Sequence, residues 1–112
     1  MTEHHTIAQQ LSTLVGDTLK AYQGEDIVTL EVKALTCFFD YVVICTSHSK
    51  PHIHALTHHV VEAIKTQSYP VQGIEGQDSA EWILIDLGNV IVHIMQKDIR
   101  DFYQLEKLWS RL

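Results

Sequence analysis

Basic residues are scarce in this chain. Eight Lys and Arg stand against fourteen Asp and Glu in 112 residues, a formal charge of −6 with the histidines neutral. Nucleic-acid binders draw affinity from neutralising phosphates with Lys and Arg, so sequence-specific nucleic-acid binding is disfavoured. An acidic domain that works on a nucleoprotein particle should attach through a basic protein instead. Cysteine is scarce too. Cys37 and Cys45 are too few, and too apolar in setting, for a disulfide framework, and reduced thiols are expected. No apolar run approaches the roughly 20 residues that span a bilayer. The segment Met1 to Gln10, with Glu3, His4 and His5, has nothing of a secretory signal. Repeats, low-complexity tracts and linkers are also missing. These absences point to a single soluble, cytoplasmic domain over 1–112, able to bury roughly two-thirds of its unfolded surface.

What is present is strongly periodic. Ile7, Leu11, Leu14, Val15, Thr18 and Tyr22 recur at helical spacing, with Gly24 as a stop. Val28, Leu30 and Val32 alternate as one face of a half-buried strand. Asp40 to Ser47 is dense in β-branched residues and predicts a central strand. Ser49 is placed to cap a helix with Pro51 in its first turn and Ile53, Leu56, Val60 and Ile64 as its buried stripe. Pro70 to Gly76 reads as an irregular or short-strand segment. Two apolar runs then flank Gly88-Asn89, a tight hairpin signal. Asp98 is expected to cap a final helix with Phe102, Leu105, Leu108, Trp109 and Leu112 on one face. The order predicts an α/β fold: a mixed sheet with flanking helices and at least one antiparallel hairpin.

A two-residue hairpin loop sorts the side chains into unlike sets. Ile83, Ile85, Leu87, Val90, Val92 and Ile94 share one aliphatic face, as core beneath helices would. The other face carries Trp82, Leu84, Asp86, Ile91, His93 and Met95. A large aromatic, a methionine, an acid and a histidine together suit a partner surface, and packing beneath another helix accounts for Trp82 and Met95 equally well. Trp109 poses the same choice.

Chemistry is harder to find. His54 and His58 lie one helical turn apart, a spacing that can place two imidazoles on a metal, but His52 and His59 fall elsewhere on the helix and no third ligand is evident. Thr46-Ser47-His48-Ser49 ends a strand and opens a helix, a geometry that can hold phosphate, yet it lacks the glycines of a P-loop. No acid occurs between Asp40 and Glu62 to hold magnesium beside it. Cys45 should be an inert buried thiol, and Cys37, next to Phe38 and Phe39, looks similar. No catalytic constellation, metal site or cofactor is expected.

The run from Gly76 to His93, Gly-Gln-Asp-Ser-Ala-Glu-Trp-Ile-Leu-Ile-Asp-Leu-Gly-Asn-Val-Ile-Val-His, with Tyr103 to Trp109, resembles the ribosomal silencing factor S (Iojap) family. Asp40 to Thr46 and the strand opening at Asp26 are similar to it as well, so the resemblance covers nearly the whole chain. The loop Thr46 to His52 departs from it, since relatives usually carry a glycine and an arginine there. The resemblance implies a nucleotidyltransferase-like fold without catalytic acids. It implies docking on the large ribosomal subunit through large-subunit ribosomal protein fourteen, which would block subunit joining when nutrients are scarce, and homodimers off the ribosome. By position it assigns docking to Trp82, Asp86, His93, Tyr103, Leu105, Glu106 and Trp109, with Ser79 and Tyr41. The alternative from another class is a nucleotide-binding domain of the nucleotidyltransferase type, degenerate or active.

Overall fold

The computed structural model describes residues 2–109, and side chains from residue 7 onward. The expected positions Glu3, His4, His5 and Leu112 lie outside the described side chains. Five strands form one mixed sheet in the order β1-β2-β5-β4-β3: β1 (Glu25–Glu31), β2 (Tyr41–Ser47), β3 (Gly73–Glu75), β4 (Trp82–Asp86) and β5 (Val90–Gln96). β2 and β5 run parallel and every other pair is antiparallel. The helices are α1 (Thr2–Ala21), α2 (Lys50–Thr66), α3 (Lys97–Tyr103) and α4 (Leu105–Trp109). This is the α/β architecture that the periodicities predict.

Side-chain alternation in the strands divides the sheet between two cores. Tyr41, Val43 and Cys45 of β2, with Ile83, Ile85, Val90, Val92 and Ile94 of the hairpin, meet Leu11, Val15 and Leu19 of α1 and the stripe of α2. Val42 and Ile44 point the other way and join Val32 and Met95 in a smaller core, onto which Ile99, Leu105 and Trp109 close. The two long helices thus share one face, and the short pair α3–α4 covers part of the other. β2, buried along its whole length, is sandwiched as a parallel strand should be.

Both long helices end in Schellman motifs. After α1, Gly24 N–H reaches the Leu19 carbonyl at 2.7 Å and Gln23 N–H that of Lys20 at 3.2 Å. The left-handed residue is Gln23 (φ 69), one before the predicted stop. Gly24 is needed for room, since a Cβ there would lie 2.5 Å from the Cys45 sulfur. After α2, Ser68 (φ 63) takes the same role, with Tyr69 N–H on the Ile64 carbonyl at 3.1 Å. At the start of α2, Ser49 Oγ accepts from His52 N–H at 3.2 Å, the predicted cap.

The carboxyl-terminal segment corrects the predicted single helix. Gln96, not Asp98, is the N-cap, and Asp98 lies in the first turn with its carboxylate accepting from Ile99 N–H. The helix stops at Gln104, whose left-handed backbone (φ 51) redirects the chain into α4. The stripe therefore splits: Leu105 and Trp109 pack on the second core, whereas Phe102 is 78% exposed and Leu108 is also exposed. Cys37 is exposed rather than buried, and Phe38 beside it is 80% exposed.

Arg100 holds this corner together. It is 7% exposed. Its Nη1 donates to the Asp26 carbonyl at 2.6 Å and to Thr46 Oγ1 at 2.8 Å, while Nε and Nη2 both donate to Glu106 Oε2 at 3.1 and 2.9 Å. Asp26 has a left-handed backbone (φ 49) where the β1–β2 register slips, so a guanidinium on α3 secures the bulge in β1. Burial disfavours the Glu106 carboxylate, but hydrogen bonds from its own N–H and from Arg100 outweigh that and hold its pKa below the usual carboxylate range.

Removing Glu106 leaves a charge that cannot deprotonate buried without its partner. Glu106→Ala should cost on the order of 3 kcal/mol in chemical denaturation. Lys97→Ala, which breaks the exposed Lys97–Asp101 pair, should cost less than about 1 kcal/mol. Equal losses in the two variants would show that Arg100 is not a structural keystone.

Candidate functional site

The sheet face opposite the long helices is only partly covered. The β4–β5 register, Ile83 opposite Ile94 and Ile85 opposite Val92, is the one a two-residue loop demands. Leu87 N–H closes that loop on the Val90 carbonyl at 3.0 Å, with Gly88 at φ 88. The second set of hairpin side chains therefore lies together on this open face. Met95 is fully buried in the second core, which settles that residue as packing. Trp82 packs against the same core but stays half-buried. Leu84, Ile91 and His93 are half-buried outside it, with Asp86 and the exposed Glu75 of β3 in the same rows of the sheet.

An aromatic row crosses this face. Trp82 Nε1–H donates to His93 Nδ1 at 3.0 Å, which puts the imidazole proton on Nε2 if the ring is neutral. Burial lowers the His93 pKa to about 4, so neutrality is the resting state. Tyr103, at the end of α3, sets its ring 4.9 Å from Trp82, and Phe102 meets Tyr103 edge-on at 5.0 Å. The row thus runs from a half-buried histidine to a solvent-exposed phenylalanine.

Gly76 makes the start of this arrangement feasible. It sits at φ 92, and a Cβ there would overlap the Trp82 carbonyl oxygen. Ala80 is buried with a left-handed backbone, and Gln96 Nε2–H donates to its carbonyl at 2.7 Å. The Gly76–Trp82 turn is therefore pinned to the end of β5, which orients Trp82 across the sheet.

The structure sorts the nine predicted site residues by what each touches. Trp82, His93 and Tyr103 form the row. Asp86 shares their face, but one oxygen accepts from Gly88 N–H at 2.8 Å and so serves the hairpin turn. Leu105 and Trp109 lean into the second core, Trp109 edge-on to Phe39 at 5.6 Å. Glu106 is bound to Arg100. Ser79 is exposed on the turn before β4. Tyr41 stands apart: its buried ring belongs to the core beneath the long helices, and burial with the nearby Glu31 and Asp40 carboxylates raises its pKa. Sequence reasoning missed Arg100, because only the fold brings Asp26, Thr46 and Glu106 to it. Phe102 it placed on one face with Leu105 and Trp109, which the structure separates from it. The adjacent Phe102-Tyr103 pair just before the helix break is the signal that could have marked an exposed aromatic end.

The histidine cluster has a packing role. His52 Nδ1 accepts from His48 N–H at 2.9 Å, and its Nε2 lies 3.1 Å from the Tyr22 carbonyl, which joins the start of α2 to the end of α1. His59 stacks flat on Tyr22 at 3.5 Å. His54 and His58 are exposed, and among the described residues no three metal-binding side chains converge. Cys45 has its pKa pushed up to about 12 by burial, so its thiol is inert. No helix among the described residues is long and apolar enough to cross a membrane.

The profile of one protein family, described as ribosomal silencing factor during starvation, matches residues 5–112. A ribosomal silencing factor of Haemophilus influenzae is 40% identical over 94 residues, 84% of this chain and 92% of that protein. A crystal structure of a Chromobacterium violaceum protein superposes with a TM-score of 0.89 at 35% identity, covering 91% of this chain and 85% of the other. A mouse protein named for mitochondrial assembly of the ribosomal large subunit is 35% identical over 82% of this chain and 42% of its own length.

His93 gives the site a pH signature. Its pKa lies below the ordinary value of about 6.5, so the fold favours the neutral ring. The stabilisation is complete above that value and is lost as the pH falls towards about 4. Imidazole shifts followed by NMR should show His93 still neutral well below the ordinary histidine value of about 6.5, and His93→Gln should flatten this part of the stability–pH curve. A His93 that titrates at the ordinary histidine value would mean that its ring is not buried in solution.

Proposed function

The chain belongs to the ribosomal silencing factor family, and we propose that it binds the large ribosomal subunit through large-subunit ribosomal protein fourteen and sterically blocks joining with the small subunit. Translation would fall under nutrient limitation as a result. The observation that carries this reading is the open half of the sheet face: apolar Leu84 and Ile91 beside the Trp82–His93 pair, extended by the exposed rings of Tyr103 and Phe102. Monomeric proteins seldom leave aromatic side chains in a contiguous patch unless a partner covers it.

Charge supports a basic protein as that partner. The chain carries −6 overall, and the carboxylates of Asp86 and Glu75 edge the patch. Acids at a rim attract a cationic surface and speed encounter, while the apolar centre supplies residence time. The likeness to a mouse protein named for assembly of the ribosomal large subunit supports that subunit as the target.

In this reading the assigned residues act in different ways. Trp82, His93 and Tyr103 with Asp86 meet the partner, and Ser79 sits on the neighbouring turn. Leu105, Glu106 and Trp109 hold α3–α4 so that Tyr103 is presented. Tyr41 acts from the opposite face, by supporting β2. The chain works in the cytoplasm without a cofactor, as a regulator and not as an enzyme. Off the ribosome the chain forms a homodimer.

Phe102→Ala and Tyr103→Ala together remove rings that belong to neither core, so the fold should persist. Large-subunit binding should weaken about tenfold or more, and the variant should no longer keep subunits apart in sedimentation. Affinity of the unaltered chain should fall as salt rises. If subunits join normally with the large subunit saturated by this protein, the blocking mechanism is wrong. If the double variant binds undiminished, docking lies elsewhere on the molecule.

A further inference from the structure

The parallel strands β2 and β5 end side by side, with Ser47 opposite Gln96. The chain leaves them on opposite faces of the sheet: β2 leads to α2 over the larger core, and β5 leads to α3 over the smaller one. In open α/β sheets, ligands bind outside the carboxyl ends of two such strands, because the diverging connections leave a gap that no side chain fills. Here the gap is a shallow crevice of about 350 Å³ lined by Ser47, His48, Gln96, Lys97, Asp98 and Asp101. It lies apart from the aromatic row.

Ser47 marks the crevice as more than a surface dent. The residue is 3% exposed, and its Oγ has no hydrogen-bond partner among the described residues. Buried hydroxyls are nearly always paired, so this one calls for an occupant. Three residues after Ser47 begins α2, a helix of 17 residues with no acid in its first turn to offset its positive end, where Ser49 Oγ already takes the His52 N–H and Pro51 has none. Lys97 Nζ is held on the same rim by Asp101 at 2.8 Å. The carboxylates of Asp98 and Asp101 line the crevice too, and they accept hydrogen bonds from hydroxyls while repelling a bare anion.

We propose that this crevice binds a small phosphate monoester that carries free hydroxyls. The phosphate sits against the Ser47 hydroxyl, the start of α2 and the Lys97 ammonium; the hydroxyls donate to Asp98 and Asp101. The mixed charge of the lining selects such a ligand over inorganic phosphate.

Ribose phosphate, inorganic phosphate and ribose, each titrated into the isotope-labelled full chain and read from backbone amide shifts, test the site. Ribose phosphate should move the Ser47–Lys50 and Gln96–Asp98 amides saturably. Ser47→Ala and Lys97→Ala should each weaken that binding about tenfold, and ribose or inorganic phosphate alone should bind at least as weakly as those variants. No saturable shift with ribose phosphate, an equal response to inorganic phosphate, or undiminished binding in both variants overturns the proposal and leaves an ordered water as the partner of Ser47. Should Ser47→Ala fail to fold, Lys97→Ala with Asp98→Asn decides the matter by the same criteria.

Discussion

A guanidinium cannot shed its charge, and Arg100 is buried where three parts of the chain meet. Its burial is tolerable only because the Asp26 carbonyl, the Thr46 hydroxyl and the Glu106 carboxylate surround it. That requirement propagates. Asp26 adopts a left-handed backbone and slips the register of β1; Glu106 must lie back over the sheet, so the chain turns sharply at Gln104. The turn then swings Leu105 and Trp109 onto the second core and leaves Phe102 and Tyr103 pointing outward. The exposed aromatic end of the candidate site is thus a consequence of how one buried charge is satisfied.

The sheet supplies the other half of the site. Its helical face is closed by two long helices, whereas among the described residues the opposite face has only two short ones, too small to cover β4 and the adjoining edge of β5. What remains open is neither plain surface nor plain core. Trp82 gives its N–H to His93 and its ring to Tyr103, so its polar atom is satisfied inside the protein and its apolar area stays available. Such a side chain is organised before a partner arrives, which lowers the entropic cost of docking.

The hairpin was legible from the order of residues alone because side-chain alternation of period two and a two-residue Gly-Asn loop admit one register. The cap at Ser49 and the stripe of α2 were legible for the same kind of reason, since both depend on neighbours within a few residues. The last helix was not. Phe102, Leu105, Leu108 and Trp109 fall at helical spacing, and nothing local announces a left-handed Gln104, which is stabilised by Arg100 and Glu106 closing across it. Cys37 was misread in the same way: two adjacent phenylalanines suggest burial, but only Phe39 packs inward, against Trp109.

Local chemistry in the sequence determined the elements before the last helix, the two unlike faces of the hairpin and an acidic character suited to a basic partner, because periodicity, capping and net charge are properties of neighbouring residues or of simple sums. The tertiary structure alone decided which apolar residues stay uncovered. That outcome depends on contacts between residues far apart in the chain, Arg100 with Asp26 and Thr46, and Trp82 with Tyr103. Such pairings leave no periodic trace, since each is selected by the shape of the assembled sheet and helices rather than by spacing along the chain.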